Sequence, residues 1–258
     1  MALFNFNYEE FELFLFVFVR VGAIIIFTPI LGSASVPAMF KVGLILFASV
    51  AIFPAVSSLP GPLPKGTLDF GVHLLSEITI GLTIAFAARL VFMAVQVAGT
   101  VVDFQMGFGV VNVIDPQTQS QVSVTAQFQN ILAILIFLAV DAHHFFLHAV
   151  VESFDLIDPN RFAFSPFAME YMMTLFANAF VIAIKISAPA MAALFFVSIS
   201  MGLIARTVPQ MNVFIVAFPL QIGMGLLMVG LTMAFFTLIV KQEFLDLPLR
   251  FVGLMRAM

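Results

Sequence analysis

Six apolar stretches, each long enough for a membrane-spanning helix, account for most of this chain. Hydrophobic residues make up 62% of the sequence and charged residues only 9%, against roughly 25% charged in an ordinary soluble domain. The stretches cover residues 11–31, 39–56, 70–102, 122–151, 169–205 and 213–240. We therefore predict an all-α protein of the integral membrane class, with long kinked helices and hairpins.

Five ionisable residues lie in or beside these stretches. A charge among lipid tails costs several kcal/mol unless it is paired or hydrated. Five such groups predict helices that mostly face other protein or a water-filled path. The residues are Glu77, Arg89, Asp103, Asp141 and Lys185.

The aromatic residues point the same way. The chain has 33 Phe but two Tyr and no Trp, whereas lipid-ringed bundles carry Trp and Tyr belts at both interfaces. Their scarcity favours Phe packed between helices, although compositional drift is an alternative. The stretch at 70–102 would span about 50 Å as a helix, more than a hydrocarbon core of about 30 Å. It must tilt, break or stand partly outside lipid.

The third stretch carries a recognisable face. Small and polar residues recur on it at steps of three and four, which places them on one helical stripe. Small residues there let two backbones approach closely. Glu77 and Arg89 are about three turns apart, so we expect their partners on other helices, with intrachain, intersubunit and proton-relay roles all open. The stripe comprises Glu77, Gly81, Ala85, Ala88, Phe92, Gln96, Gly99 and Asp103.

In the fifth stretch, Lys185 precedes Pro189 by four residues. Pro189 has no N–H to donate to the Lys185 carbonyl, so we predict a kink with a free acceptor beside a cation. Such a place can mark a functional site, although a plain kink with a satisfied lysine is an equal alternative.

Several function classes are excluded by what the sequence lacks. Basic clusters are absent at a net charge of −4, so nucleic-acid binding is rejected. No nucleophile elbow, P-loop or dinucleotide fingerprint is present, and we predict no catalytic residues and no cofactor. His143, His144 and His148 near Asp141 invite a metal interpretation, but no further ligand is evident beyond Glu152. We predict no metal site and interpret the group as a membrane–water boundary.

Residues 103–121, hereafter the plug segment, form a polar, glycine-containing interruption. Glycine permits a tight, mobile backbone and Met adapts to irregular contacts. The composition suits a seal that yields, while an ordinary loop is the alternative.

The order of these features resembles the FliR family, core components of the flagellar type III protein-export gate. The likeness rests on residues 105–109 followed by Asp115-Pro116, on residues 205–214 with 218–220, and on Lys185 with Ala188-Pro189. The virulence-secretion counterparts are similar and remain an alternative.

The resemblance implies one export-gate domain in a helical assembly in the bacterial inner membrane, at the flagellar basal body. Residues 1–168 would be FliP-like, 169–240 a FliQ-like hairpin and 241–258 an amphipathic tail. The implied partners are FliP, FliQ, FlhB and FlhA, and the implied cargo is unfolded flagellar subunits.

The resemblance also assigns roles to residues. It places the channel plug at Met106, Gly107, Phe108, Gly109, Asp115 and Pro116. It places a cytoplasmic entrance link at Arg206, Pro209, Gln210 and Asn212. Glu77, Arg89, Asp103 and Lys185 would be buried charges of the assembly, and Pro189 its kink. A proton-coupled transporter of small solutes is the rival function, although it lacks a second broken helix; an intramembrane enzyme lacks a nucleophile–base pair.

Overall fold

The computed structural model describes residues 8–33, 36–56, 66–108, 123–157, 165–208, 210 and 212–258. These residues form nine α-helices and no strand, which confirms the predicted all-α class. The helices are α1 (Tyr8–Phe27), α2 (Ala38–Val56), α3 (Thr67–Met106), α4 (Val124–Ala139), α5 (Ala142–Leu156), α6 (Pro166–Thr207), α7 (Val213–Leu231), α8 (Met233–Leu245) and α9 (Leu247–Ala257).

The predicted stretch at 122–151 is not one helix. It divides into α4 and α5, which bend by 67° at Asp141, a residue in the left-handed conformation. The stretch at 213–240 likewise divides at Thr232 between α7 and α8. Neither break carries the Gly or Pro that would announce it in the sequence. Each of these two apolar stretches is therefore divided between two helices.

Among the described residues, four helices are long and apolar enough to cross a membrane, namely α2, α3, α6 and α7. The bent pair α4–α5 makes a fifth if it counts as one span. The first apolar stretch does not qualify, because α1 ends at Phe27 and every 18-residue part of it contains Glu10, Glu12 and Arg20. The six stretches thus give four or five candidate spans within the described residues.

The chain divides into two compact units. The first unit comprises Met1–Leu90, Asp141–Leu175 and Leu245–Met258. In it α1 packs against α2 and α5, and α9 packs against α5. Its core includes Val17, Ile24, Ile80 and Ile84, which are almost completely buried.

The second unit comprises Val91–Val140 and Phe176–Phe244. Val102 and Met106 of α3 form a buried cluster with Ala190 and Leu194 of α6 and Val229 of α7. A second set of contacts joins the rings of Phe92, Phe137 and Phe244, with centroids 5.2–5.9 Å apart. Phe therefore serves packing between helices here, as the sequence predicts.

Candidate functional site

A buried ion pair joins α1 to α3 in the first unit. Glu77 and Arg20 have side chains that are 1% and 0% exposed. Arg20 Nη2 donates to Glu77 Oε1 at 3.0 Å and Arg20 Nε donates to Glu77 Oε2, which gives a bidentate pair. Paired in this way, two charges can be tolerated away from water.

The remaining donor of Arg20 reaches a third helix. Arg20 Nη1 donates to the Ser153 carbonyl at 2.8 Å and to Ser153 Oγ at 3.2 Å, and the guanidinium carbon lies 3.9 Å from the ring centroid of Phe154. One side chain thereby connects α1, α3 and α5. The structure supports the intrachain alternative for Glu77, because both of its carboxylate oxygens already accept hydrogen bonds from Arg20.

The predicted stripe on α3 is buried at seven of its eight positions, with Gln96 exposed. A methyl group on Gly81 would lie 2.6 Å from Ala23 Cβ and 2.9 Å from the Arg20 carbonyl oxygen. Gly99 is similarly pressed against the backbone of Ala126. The prediction that small residues permit close backbone approach is confirmed in both units.

Asp103 ties the two flanks of the plug segment together. Its Oδ2 accepts hydrogen bonds from Ser123 Oγ and, at 3.0 Å, from the Thr125 N–H. Ser123 in turn caps α4 by accepting from the Ala126 N–H at 3.1 Å. These bonds satisfy N–H groups that the first turn of α4 leaves open. A carboxylate at a helix N-terminus is also favoured by the helix dipole.

Two residues of the predicted plug, Met106 and Gly107, lie just after Asp103 and are also packed. Met106 is completely buried in the cluster of Val102, Leu194 and Val229. Gly107 has a φ of +91°, which L side chains rarely adopt, and a methyl group on it would lie 2.7 Å from the Phe218 ring. The chain therefore turns sharply here against α7.

The other predicted plug residues divide into two sets. Phe108 is partly buried and packs against the same cluster. Gly109, Asp115 and Pro116 lie outside the described residues. The plug role stays a prediction.

The predicted entrance link is exposed where the structure describes it. Arg206 lies in the last turn of α6, and Gln210 follows that helix. Asn212 occupies the N-cap position of α7 without a side-chain cap bond. Pro209 lies outside the described residues.

Arg89 and Lys185, predicted as buried in an assembly, are both exposed in the single chain. Arg89 lines a mostly apolar groove of about 410 Å³ in the first unit. Neither cation makes a hydrogen bond or ion pair with any residue that the structure describes. Phe27, Leu82, Thr83, Phe86 and Met172 complete the groove.

Pro189 lies inside α6, which runs through it as a single helix of 42 residues. Pro54 and Pro219 likewise lie inside α2 and α7. Proline inside a helix is thus a recurrent feature of this chain, and the predicted bend at Pro189 stays a prediction.

Sequence reasoning missed Arg20. The rule that selected Glu77, a lone charge in an apolar stretch, applies equally to Arg20 and would have found it. It would not have found Ser153, which lies just beyond the stretch at 122–151, because a serine carries no comparable signal. The partners are 57 and 133 residues from Arg20 along the chain, so hydropathy alone could not pair them.

Comparisons with known proteins find relatives along most of the chain. A family model described as bacterial export proteins, family 1, matches residues 11–247. The chain is 37% identical over 244 residues to the flagellar biosynthetic protein FliR of Bacillus subtilis (strain 168), with 92% of each chain covered. It is 27% identical over 216 residues to FliR of Escherichia coli (strain K12), which covers 83% of this chain and 82% of the relative. It is also 28% identical over 187 residues to the Yop proteins translocation protein T of Yersinia pestis, covering 71% and 70%.

Proposed function

Because the chain belongs to the bacterial export proteins, family 1, we propose that it helps to form and plug the channel of a flagellar type III export gate. The resemblance predicted from the sequence is confirmed, and with it a non-enzymatic membrane component of the flagellar export apparatus. The flagellar relative from Bacillus subtilis is more similar than the Yersinia pestis translocation protein, which favours flagellar over virulence secretion.

The exposed Lys185 is the observation that carries the subunit role. It lies on α6, a candidate span whose most apolar 18-residue part has a mean hydropathy of 2.2, and it follows the exposed apolar residues Val181 and Ile184. A lysine facing lipid at the centre of a span would cost about 2.5–3.5 kcal/mol. A surface that is apolar but carries a cation therefore suits a protein partner that supplies an acceptor.

The partners that fit are FliP and FliQ around the channel, with FlhB and FlhA beside them. In this arrangement residues 1–168 act as a FliP-like part, 169–240 as a FliQ-like hairpin and 241–258 as an amphipathic tail. The cargo is unfolded flagellar subunits that cross the bacterial inner membrane. Arg206, Pro209, Gln210 and Asn212 lie at the cytoplasmic entrance, and a bend at Pro189 fits α6 to a curved partner surface.

Substituting Lys185 tests the subunit role. Lys185→Met keeps the length of the side chain but removes the charge-assisted contact, which is worth roughly 1.5–3 kcal/mol. We expect about tenfold or greater loss of complex when the chain is co-expressed with its partners and the complex is quantified by native gel and mass. Lys241→Met is the matched control, because Lys241 is exposed on α8 outside the candidate spans. Equal yields from both variants would refute a partner at Lys185.

The proposed plug role is supported by the packing at the start of the plug segment. Asp103 and Met106 are held at the packed end of α3, while the composition of the segment beyond them suits a seal. Deleting residues 107–120 should raise the ion conductance of the assembled complex in planar bilayers, because the obstruction is removed while the Asp103–Ser123 contact stays. Unchanged conductance in a complex of normal mass would argue against a plug.

The pairing of Glu77 with Arg20 removes one argument for the rival transporter function. Glu77, a candidate proton carrier in that scheme, is bidentate with Arg20 and buried. A solubilised chain that stays a well-behaved 28.2 kDa monomer during co-expression would favour the transporter over the gate subunit.

A further inference from the structure

The bend between α4 and α5 has an unusual backbone. Asp141 has φ 54° and ψ 27°, and it is the one non-glycine residue with a positive φ in the described part of the chain. It occupies the N-cap position of α5, yet its carboxylate makes no capping bond. The turn is instead closed by the backbone, since His144 N–H donates to the Asp141 carbonyl at 2.9 Å. The side-chain oxygens are thereby left for another ligand.

Two imidazoles converge on that carboxylate. One ligand atom from each of Asp141, His143 and His144 lies within 4.8 Å of the other two. The two imidazole centroids are 4.3 Å apart. His143 Nδ1 is buried and has no hydrogen-bond partner among the described residues. A buried nitrogen without a partner is unfavourable, and a bound cation would satisfy it.

We infer that Asp141, His143 and His144 bind a divalent transition-metal ion of the zinc class. Two imidazole nitrogens and one carboxylate oxygen are ligands that zinc, nickel and iron accept, whereas calcium and magnesium prefer oxygen ligands throughout. Ligand atoms around one zinc ion lie about 3.3 Å apart, so the three side chains must close by small rotamer changes. Asp141 and His144 are exposed, which leaves room for water at the remaining positions.

This assignment differs from the prediction made from the sequence. The spacing of His144 and His148 suggested a shared helical face and too few ligands. The left-handed turn at Asp141 brings the carboxylate to His143 and His144 instead, and His148 is not in the group. The N-terminus of α5 disfavours a cation nearby, and the Asp141 carboxylate opposes that effect. The site is independent of the role in export.

Metal retention by the full-length chain tests this inference. The chain is purified in detergent without a histidine tag, stripped with chelator, dialysed against micromolar Zn²⁺ and analysed by mass spectrometry for bound metal. We expect about one ion per chain. Co²⁺ in place of Zn²⁺ should give the visible absorption of a nitrogen-ligated site.

Single substitutions locate the ion. His144→Ala and Asp141→Asn should each weaken binding at least about tenfold, the loss that even an outer-shell change causes. Both residues are exposed, so neither change removes core packing. His148→Ala is the matched control and should bind like the parent. Less than stoichiometric metal in the parent, or equal loss in His148→Ala and His144→Ala, would overturn the assignment.

Discussion

The most apolar 18-residue parts of α3 and α7 have the same mean hydropathy, 2.1, but very different surroundings. Within the most apolar part of each, 67% of the α3 residues are buried in the chain and only 17% of the α7 residues. The difference lies in the residues between the large apolar ones. On α3, Gly81 and Gly99 meet other backbones and Glu77 meets Arg20. On α7, Gly225 meets the Met106 side chain, but Gly223 and Gly230 have no described residue within 4 Å.

This comparison shows that hydropathy measures how readily a helix leaves water, and says little about what it meets afterwards. A helix that packs inside its own chain pairs its polar groups there and uses glycine for close contact. A helix that leaves its glycines open presents them to lipid or to another subunit. The distinction can be tested by substitution at each kind of position.

The largest effect is expected at the Arg20–Glu77 pair. Arg20→Met leaves the Glu77 carboxylate buried and uncompensated, which should cost roughly 3–5 kcal/mol. The midpoint temperature of thermal unfolding, measured by circular dichroism on the detergent-solubilised chain, should fall strongly. The double variant Arg20→Met with Glu77→Leu should recover much of the loss, because an apolar pair leaves no buried charge.

Arg256→Met is the control for that experiment, since Arg256 is an exposed arginine at the end of α9. It should unfold like the parent. A single variant Arg20→Met that also unfolds like the parent would show that α3 is not held in the chain by its polar contacts.

Smaller effects on stability are expected at two glycines of α3, and the two effects differ in sign from each other. Gly81→Ala places a methyl group 2.6 Å from Ala23 Cβ, and overpacking of this kind costs about 1–3 kcal/mol. Gly71→Ala meets nothing within 4 Å and should stabilise the helix by about 0.5–1 kcal/mol. Both are measured by the same unfolding experiment. Equal shifts would mean that the close approach at Gly81 is not rigid.

The smallest effect is expected on α7. Gly223→Ala should stabilise the chain alone by about 0.5–1 kcal/mol, because alanine favours helix and nothing lies within 4 Å. Gly225→Ala, two residues away, would place a methyl group against the Met106 side chain and should destabilise the chain. If a partner packs closely on the open face, Gly223→Ala should also lower complex yield on native gels. A change in neither quantity would leave lipid as the neighbour of that face.

The sequence predicts the elements of this fold better than their interruptions. The stripe on α3 follows from helical periodicity, and it is buried at all positions but Gln96. The bend at Asp141 could not be predicted, since an aspartate in the left-handed conformation has no local signature. The break at Thr232 likewise has no proline or glycine at the position itself.

The candidate site divides in the same way. The composition of residues 103–121 marks them as unusual, and the family resemblance proposes their role. The contact of Asp103 with Ser123 and Thr125 depends on how α3 and α4 pack, which periodicity does not encode. Arg89 and Lys185 lie on the apolar helices α3 and α6 and are exposed in the single chain, so their burial in an assembly stays a prediction.

The first unit is built from three separate segments of the chain, and this has a consequence for how the protein is made. Ser165 donates a hydrogen bond to the Ala257 carbonyl, Tyr171 lies against Gly253, and Phe146 contacts Phe251. Ser165 and Ala257 are 92 residues apart, so at about 5–20 residues per second the ribosome needs on the order of 5–20 seconds to supply the partner. During that interval the face of α5 that α9 will cover remains open. We therefore expect that face to need cover from lipid or from another protein until translation reaches the last helix.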